Sequence, residues 1–217
     1  MCPGGVQFLN MPHIPYSVRI LVLLGVLGGV AGIDLWRNGG RAGKWREYLF
    51  LLFAAATGGI FGVGVDTVTV RISPDYFEVG KGVAAGDSFL GDVLALGFQA
   101  GFFAGAVIGM VLLITNNPRT DRTPLSYPRL LRLVPLPLIT ALLLAVPAAT
   151  LFPRDPFGLA ASLAGFVPPD RIPGFLTVWG AHAGLYLGAM IGTFVAVRRI
   201  RRERTPIVGG ASGPRPV

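Results

Sequence analysis

The sequence predicts an all-α fold, a polytopic membrane helix bundle of five transmembrane helices packed through glycine stripes, with a short outer strand/helix loop. Three observations predict it: an apolar composition, five apolar runs of spanning length, and a separation of positive charge to one side of those runs. Residues of the AVILMFWYC class make up 52% of the chain, the mean hydropathy is +0.62 and charged residues contribute 14%. A soluble domain carries about 25% charged residues, and here the shortfall lies in the long apolar runs. The formal net charge of +8 comes from residues between and after those runs. Cytoplasmic loops of membrane proteins are enriched in Lys and Arg in this way, so nucleic acid is not an expected partner. Seventeen of the nineteen positive residues are Arg. With abundant Gly, Ala and Pro, that bias suggests a GC-rich bacterial genome.

A helix needs about 20 mostly apolar residues to cross the hydrocarbon layer. Five segments qualify, at about 18–36, 48–65, 90–115, 130–151 and 173–197, within a transmembrane domain over 1–200. The first has Arg19 and Asp34 near its ends, where they reach the headgroups. The fourth contains Pro135, Pro137 and Pro147 and is expected to kink. Cys2 is the sole cysteine, so no intrachain disulfide or cysteine metal motif is expected. The first eighteen residues carry no positive charge, so no secretory signal is expected, and Met11 is an alternative start.

Charge sets the orientation. Fourteen positive residues follow the first, third and fifth runs, and five (Arg19, Arg71, Lys81, Arg154 and Arg171) fall on the other side. The positive-inside rule then puts the N-terminus outside and the C-terminus inside, in the cytoplasmic (inner) membrane of a bacterium. Residues 66–89 form the outer loop. In it, 67–72 alternates polar and apolar like a short strand, and Ser73-Pro74-Asp75 opens one or two helical turns through Tyr76, Phe77 and Glu78 that end at Gly80. Residues 201–217 are expected to be a disordered basic cytoplasmic tail.

Glycine recurs every fourth residue at Gly97, Gly101, Gly105 and Gly109, and again at Gly180, Gly184, Gly188 and Gly192. Lipid offers no hydrophobic drive for helix association, so bare backbone that permits close approach is one main way to join helices. The segments 97–109 and 180–192 share seven identities in thirteen positions. Spans two–three and four–five are therefore expected to be a direct internal repeat of two hairpins, an arrangement that in transporters sets sites at the repeat interface.

Ionisable and polar groups within spans point to function by default. Gln99 and His182 each lie two residues after the first glycine of a row. Ser88, Asp92 and Gln99 share one helix face, and His182 and Tyr186 share another. With Asp66 at the same level, the expected ion or ligand cluster is Asp66, Asp92, Gln99, His182 and Tyr186. An imidazole beside carboxylates can relay a proton; the same groups can instead be polar glue between helices. One His and two Asp without ligand spacing imply no metal, and nothing implies a cofactor. No nucleophile–base pair or phosphate-binding loop is visible, so catalytic residues are not expected.

The stretch from Asp66 through Arg71, Asp75, Tyr76 and Phe77 to Gly80 resembles a group of uncharacterised bacterial integral membrane proteins, which carry D-x-V-T-x-R, then an acid-Tyr-Phe and a glycine, between hydrophobic spans. The run from His182 through Tyr186 to Gly188 is similar to the late span of that group. Thr67 and Lys81 stand where the group usually has glutamine and histidine. The resemblance implies an outer-loop motif of Arg71, Asp75, Tyr76 and Phe77 acting with Asp66 and His182, and implies no activity. Two functions remain in play. One is a structural or accessory subunit of a membrane assembly, with another membrane protein or a second copy as partner besides the lipid bilayer. The other is a small proton-coupled transporter or permease using the polar cluster.

Overall fold

A computed structural model describes residues 25, 28–30, 32–39, 44–117 and 122–206. The chain divides into two compact units, 1–48 and 49–217. Of the first, residues 32–38 are helical. The Asp34 carboxylate accepts hydrogen bonds from the Asn38 amide at 2.7 Å and the Lys44 backbone N–H at 2.9 Å. The expected first span, 18–36, lies mostly outside the described residues.

Among the described residues four helices are long and apolar enough to cross a membrane. Helix α1 is Lys44–Ile72, α2 is Phe89–Thr115 and α3 is the short Tyr127–Leu131. Then come α4, Pro135–Leu151; α5, Ala160–Leu163; and α6, Ile172–Glu203. The candidate span containing α4 runs from Tyr127 to Arg154. Pro135 and Pro137 sit in the first turn of α4, where a missing N–H costs little, and the helix continues through Pro147.

No strand occurs among the described residues, and this corrects the expected strand at 67–72. Those residues are the last two turns of α1. The hydroxyls of Thr67 and Thr69 donate to the carbonyls of Val63 and Val65, four residues back. That bond hides a β-branched polar side chain against its own helix, so alternation over six residues did not mark a pleated face. After Ser73 the chain makes a π-helical turn, Tyr76–Gly80, in the segment where a helical turn was expected.

Two antiparallel hairpins, α1–α2 and α4–α6, share one register. A Cβ built on Gly97, Gly101 or Gly105 meets the backbone of Gly62, Gly58 or Ala54, and one on Gly109 meets the side chains of Ala54 and Leu51. On α6, Gly180, Gly184, Gly188 and Gly192 meet Ala148, Leu144, Thr140 and Leu136–Pro137. From Gly97 to Gly105 and from Gly180 to Gly192 the neighbour steps back four residues as the glycine steps forward four. At Gly101, Gly105, Gly184 and Gly188 the contact is backbone on backbone; at Gly97, Gly109, Gly180 and Gly192 a side chain (Asp66, Ala54 and Leu51, Phe152, Thr140) also closes the space.

The hairpins meet in three apolar clusters. At one end Val70, Tyr76, Phe77 and Val93 pack against Ile172, Phe175, Leu176 and Val178. Midway, Ala141, Ala145 and Leu185 lie against Phe61 and Val65. At the far end Phe50, Ala54 and Leu112 join Leu130, Leu133, Ala196 and Ile200.

Residues 201–206 are not part of a disordered tail: α6 runs to Glu203 and the chain then folds back. Residues 207–217 lie outside the described residues. The Arg204 side chain is 5% exposed and its guanidinium donates to the carbonyls of Thr115, Asn117, Arg122 and Thr123, at 3.0–3.4 Å. Asn116 closes the same loop by exchanging two hydrogen bonds with the Leu125 backbone, at 3.0 and 2.8 Å. Arg204→Ala would remove all of these guanidinium hydrogen bonds at once, at a cost of roughly 1–3 kcal/mol in total, because the acceptors belong to exposed or half-buried residues and can turn to water. It is expected to lower the temperature of thermal unfolding measured in mixed micelles relative to the wild type.

Candidate functional site

Asp66 sits inside α1, a turn and a half before its end, and His182 sits inside α6. Both are buried, at 6% and 7% exposure, and His182 Nε2 lies 3.1 Å from Asp66 Oδ1. His182 Nδ1 lies 2.9 Å from the carbonyl of Val178, one turn back. A carbonyl only accepts, so Nδ1 carries a hydrogen. Nε2 then faces a carboxylate oxygen, and the 3.1 Å contact is a hydrogen bond only if a second proton lies between ring and carboxyl. When both contacts are hydrogen bonds, the couple is either imidazolium–carboxylate or imidazole–carboxylic acid, with one proton shared between ring and carboxyl.

The outer-loop aromatics wall in the ring. Tyr76 stacks on His182 with centroids 4.9 Å apart and 26° between planes, and Phe77 meets it edge-on at 6.2 Å. Phe77 is fully buried and so anchors the short π-turn in the apolar cluster at this end of the hairpins. Burial pushes the Tyr76 phenol above its ordinary range, with smaller contributions from Tyr186 and Asp66, so it stays neutral and can donate. Lys81 Nζ lies 5.5 Å from the centre of the Tyr76 ring, a cation–π arrangement. Asp75 pairs with Arg171 at 3.4 Å, tying the turn to the start of α6. Arg71 is exposed.

Gly97 makes room for the carboxylate. A Cβ there would lie 2.5 Å from Asp66 Oδ2 and 2.9 Å from its carboxyl carbon. Gly97→Ala is therefore expected to displace Asp66 and lengthen or break its contact with Nε2. The check is the imidazole ¹⁵N spectrum of selectively labelled protein in bilayers: the His182 signals shift in Gly97→Ala relative to the wild type.

A cavity of about 140 Å³ opens beside the couple between α1, α2, α4 and α6. Asp66, Lys81, His182 and Tyr186 supply its polar groups, and Gly, Ala, Leu, Ile, Val and Phe supply the rest. Of the expected cluster, Asp66, His182 and Tyr186 thus come together, and Asp92 and Gln99 do not join them. Asp92 is exposed and accepts a 2.7 Å hydrogen bond from the Ser88 hydroxyl. Gln99 is half-buried and away from the cavity. Two residues past a glycine is about 200° around a helix. That offset turns His182 away from α4 toward α1, but it turns Gln99 away from α1 altogether. Lys81 and Gly97 belong to the site though neither was expected in the polar cluster; Gly97 was expected only in helix packing. Among the described residues no group of three or more His, Cys, Asp and Glu could hold a metal ion.

Four apolar helices of spanning length, with a buried carboxylate–imidazole couple and an apolar cavity between them, define the class to which this chain belongs: a multi-pass helical protein suited to a membrane. No protein-family model, curated protein or solved structure matches it.

Proposed function

We propose that the chain is a multi-pass protein of a bacterial cytoplasmic membrane, N-terminus outside and C-terminus inside, that works as a small proton-coupled transporter through Asp66 and His182. The observation that carries this reading is the 3.1 Å contact between His182 Nε2 and Asp66 Oδ1, two buried groups at the wall of a cavity. A 29-residue helix is about 43 Å long against a hydrocarbon layer of about 30 Å. Asp66 lies about 9 Å from the end of α1, near the edge of that layer on the proposed outer side. A proton there is within reach of outer water, yet held by groups that face the interior. Of the residues of the family resemblance, Asp66, Tyr76, Phe77 and His182 fall in this one place, which supports their acting together, while Arg71 is exposed and Asp75 pairs with Arg171. The shared register of the two hairpins supports an internal duplication, and the backbone contacts at both glycine rows support their role as packing surfaces.

An accessory role would need a free surface for a partner. Both glycine rows face helices of this same chain, and the loop aromatics are buried against α6, so that reading has less to rest on. Proton exchange separates a relay from helix glue. For protein in bilayer vesicles moved into D2O, the His182 Nε2 hydrogen is expected to exchange far faster than the α6 backbone amides. Protection equal to that of those amides would overturn the relay.

A further inference from the structure

The shared proton satisfies only one oxygen of the carboxylate. Asp66 Oδ2 receives no hydrogen bond among the described residues, although the Asp66 side chain is 8% exposed. A buried carboxylate oxygen without a donor costs free energy, and this one belongs to a residue that lines the cavity. Lys81 lines the same cavity, and its Nζ lies 5.5 Å from the centre of the Tyr76 ring. Between a group that can only accept and a group that can only donate, the fitting head is one that does both. A hydroxyl donates to Oδ2 and accepts from Nζ. An ammonium head would face Lys81 with like charge, and an ionised phosphate would face Asp66 with like charge.

The rest of the cavity fits an apolar body. Gly58, Gly62, Gly101 and Gly105 form part of its wall, with Leu138 and Ile108. A volume of about 140 Å³ is close to that of an apolar protein cavity which takes up benzene, so it holds roughly six to eight carbons. The lining residues Ala100 and Ala104 on α2, and Tyr186 on α6, are exposed. All three lie well inside apolar spans, where the surroundings are hydrocarbon and not water. A longer chain can trail out through that side.

We infer that this cavity binds a neutral lipid with a free hydroxyl, taken from the bilayer, with its head between Asp66 Oδ2 and Lys81 Nζ and the first part of its chain along the glycine-lined wall. This names the cargo class for the transporter reading above and rests on it. The head then sits beside the shared proton, so movement of the proton changes the charge that the hydroxyl meets.

The test is photolabelling of the full chain in phospholipid bilayers with hexadecan-1-ol bearing a diazirine on its chain, followed by peptide mapping. Labels are expected on the stretches 100–108 and 185–189. Unlabelled hexadecan-1-ol should compete about tenfold to a hundredfold better than its methyl ether, the ratio for one hydrogen bond to a charged group. Asp66→Asn should reduce that preference. Ala104→Trp should abolish the mapped labels in protein that keeps its helical circular dichroism. Labelling spread evenly over all spans, or equal competition by alcohol and ether, overturns the inference, and so does labelling that survives in Ala104→Trp. If labelling fails while the His182 proton still exchanges, the lipid assignment falls and the relay stands. Specific labelling beside a protected proton keeps the lipid site and removes the relay.

Discussion

Replacing His182 with alanine is expected to destabilise the protein by roughly 3–5 kcal/mol, whereas Asp66→Asn should cost about 1 kcal/mol. The asymmetry follows from what each change leaves behind. Without the imidazole, Asp66 is a buried carboxyl with neither cation nor donor, and breaking a buried pair from one side carries the full desolvation penalty. The asparagine amide can still donate to Nε2 of a neutral ring, since Nδ1 keeps its hydrogen on the Val178 carbonyl. What is lost is the difference between two interhelical hydrogen bonds, which averages well under 2 kcal/mol in membranes. The double variant His182→Ala/Asp66→Asn should recover part of the loss, because an amide tolerates burial better than a carboxyl group. Reversible unfolding in mixed micelles measures all three. Equal costs for the two single variants would mean that the couple is not a charge-sharing pair.

A comparable effect is expected at the helix contacts. A Cβ on Gly101 would overlap the carbonyl of Gly58, and one on Gly184 would overlap that of Leu144. Neither neighbour is a flexible side chain, so the helices must move apart along their length. Gly101→Ala and Gly184→Ala should each cost roughly 1–3 kcal/mol, the usual range for overpacking. Leucine at either position should exceed about 4 kcal/mol and prevent assembly of the hairpin. Gly64 is the internal control: it lies in the same helix as Gly58, with nothing within 4 Å of a Cβ. There alanine should be neutral or stabilise by up to about 1 kcal/mol through helix propensity. Loss of folding in Gly64→Ala, or none in Gly101→Leu, would contradict this account of packing.

The helices were legible because apolar runs of spanning length need no partner to be recognised. The second and third expected spans lie within α1 and α2, and the fifth lies within α6. Boundaries failed where a polar residue has its partner far away. Asp66 reads as the end of a span until His182, 116 residues on, is known to meet it. The same holds for Arg204, which reads as one more tail charge because its four carbonyl acceptors carry no sequence signature. The strand at 67–72 was a wrong choice of period, made where threonine can satisfy its hydroxyl on a helix as well as in a sheet. Asp92 and Gln99 do share a face with Ser88, as spacing predicted, but helical spacing cannot say which neighbour a face meets. Gly97 held the missing information: the close approach that a glycine permits told where the carboxylate of α1 would lie.

The proton-sharing couple takes one member from each hairpin, and this has a consequence for how the protein is made. At roughly 5–20 residues per second, the 116 residues between Asp66 and His182 take roughly 6–23 s to synthesise. For that interval the first hairpin is in the membrane with a carboxyl group that has no counterpart. The newborn chain must keep it protonated, or hold it at the water boundary, until α6 arrives. The Asp66–His182 contact can form only once α6 has been made, so a chain that stops short of α6 lacks the partner of Asp66.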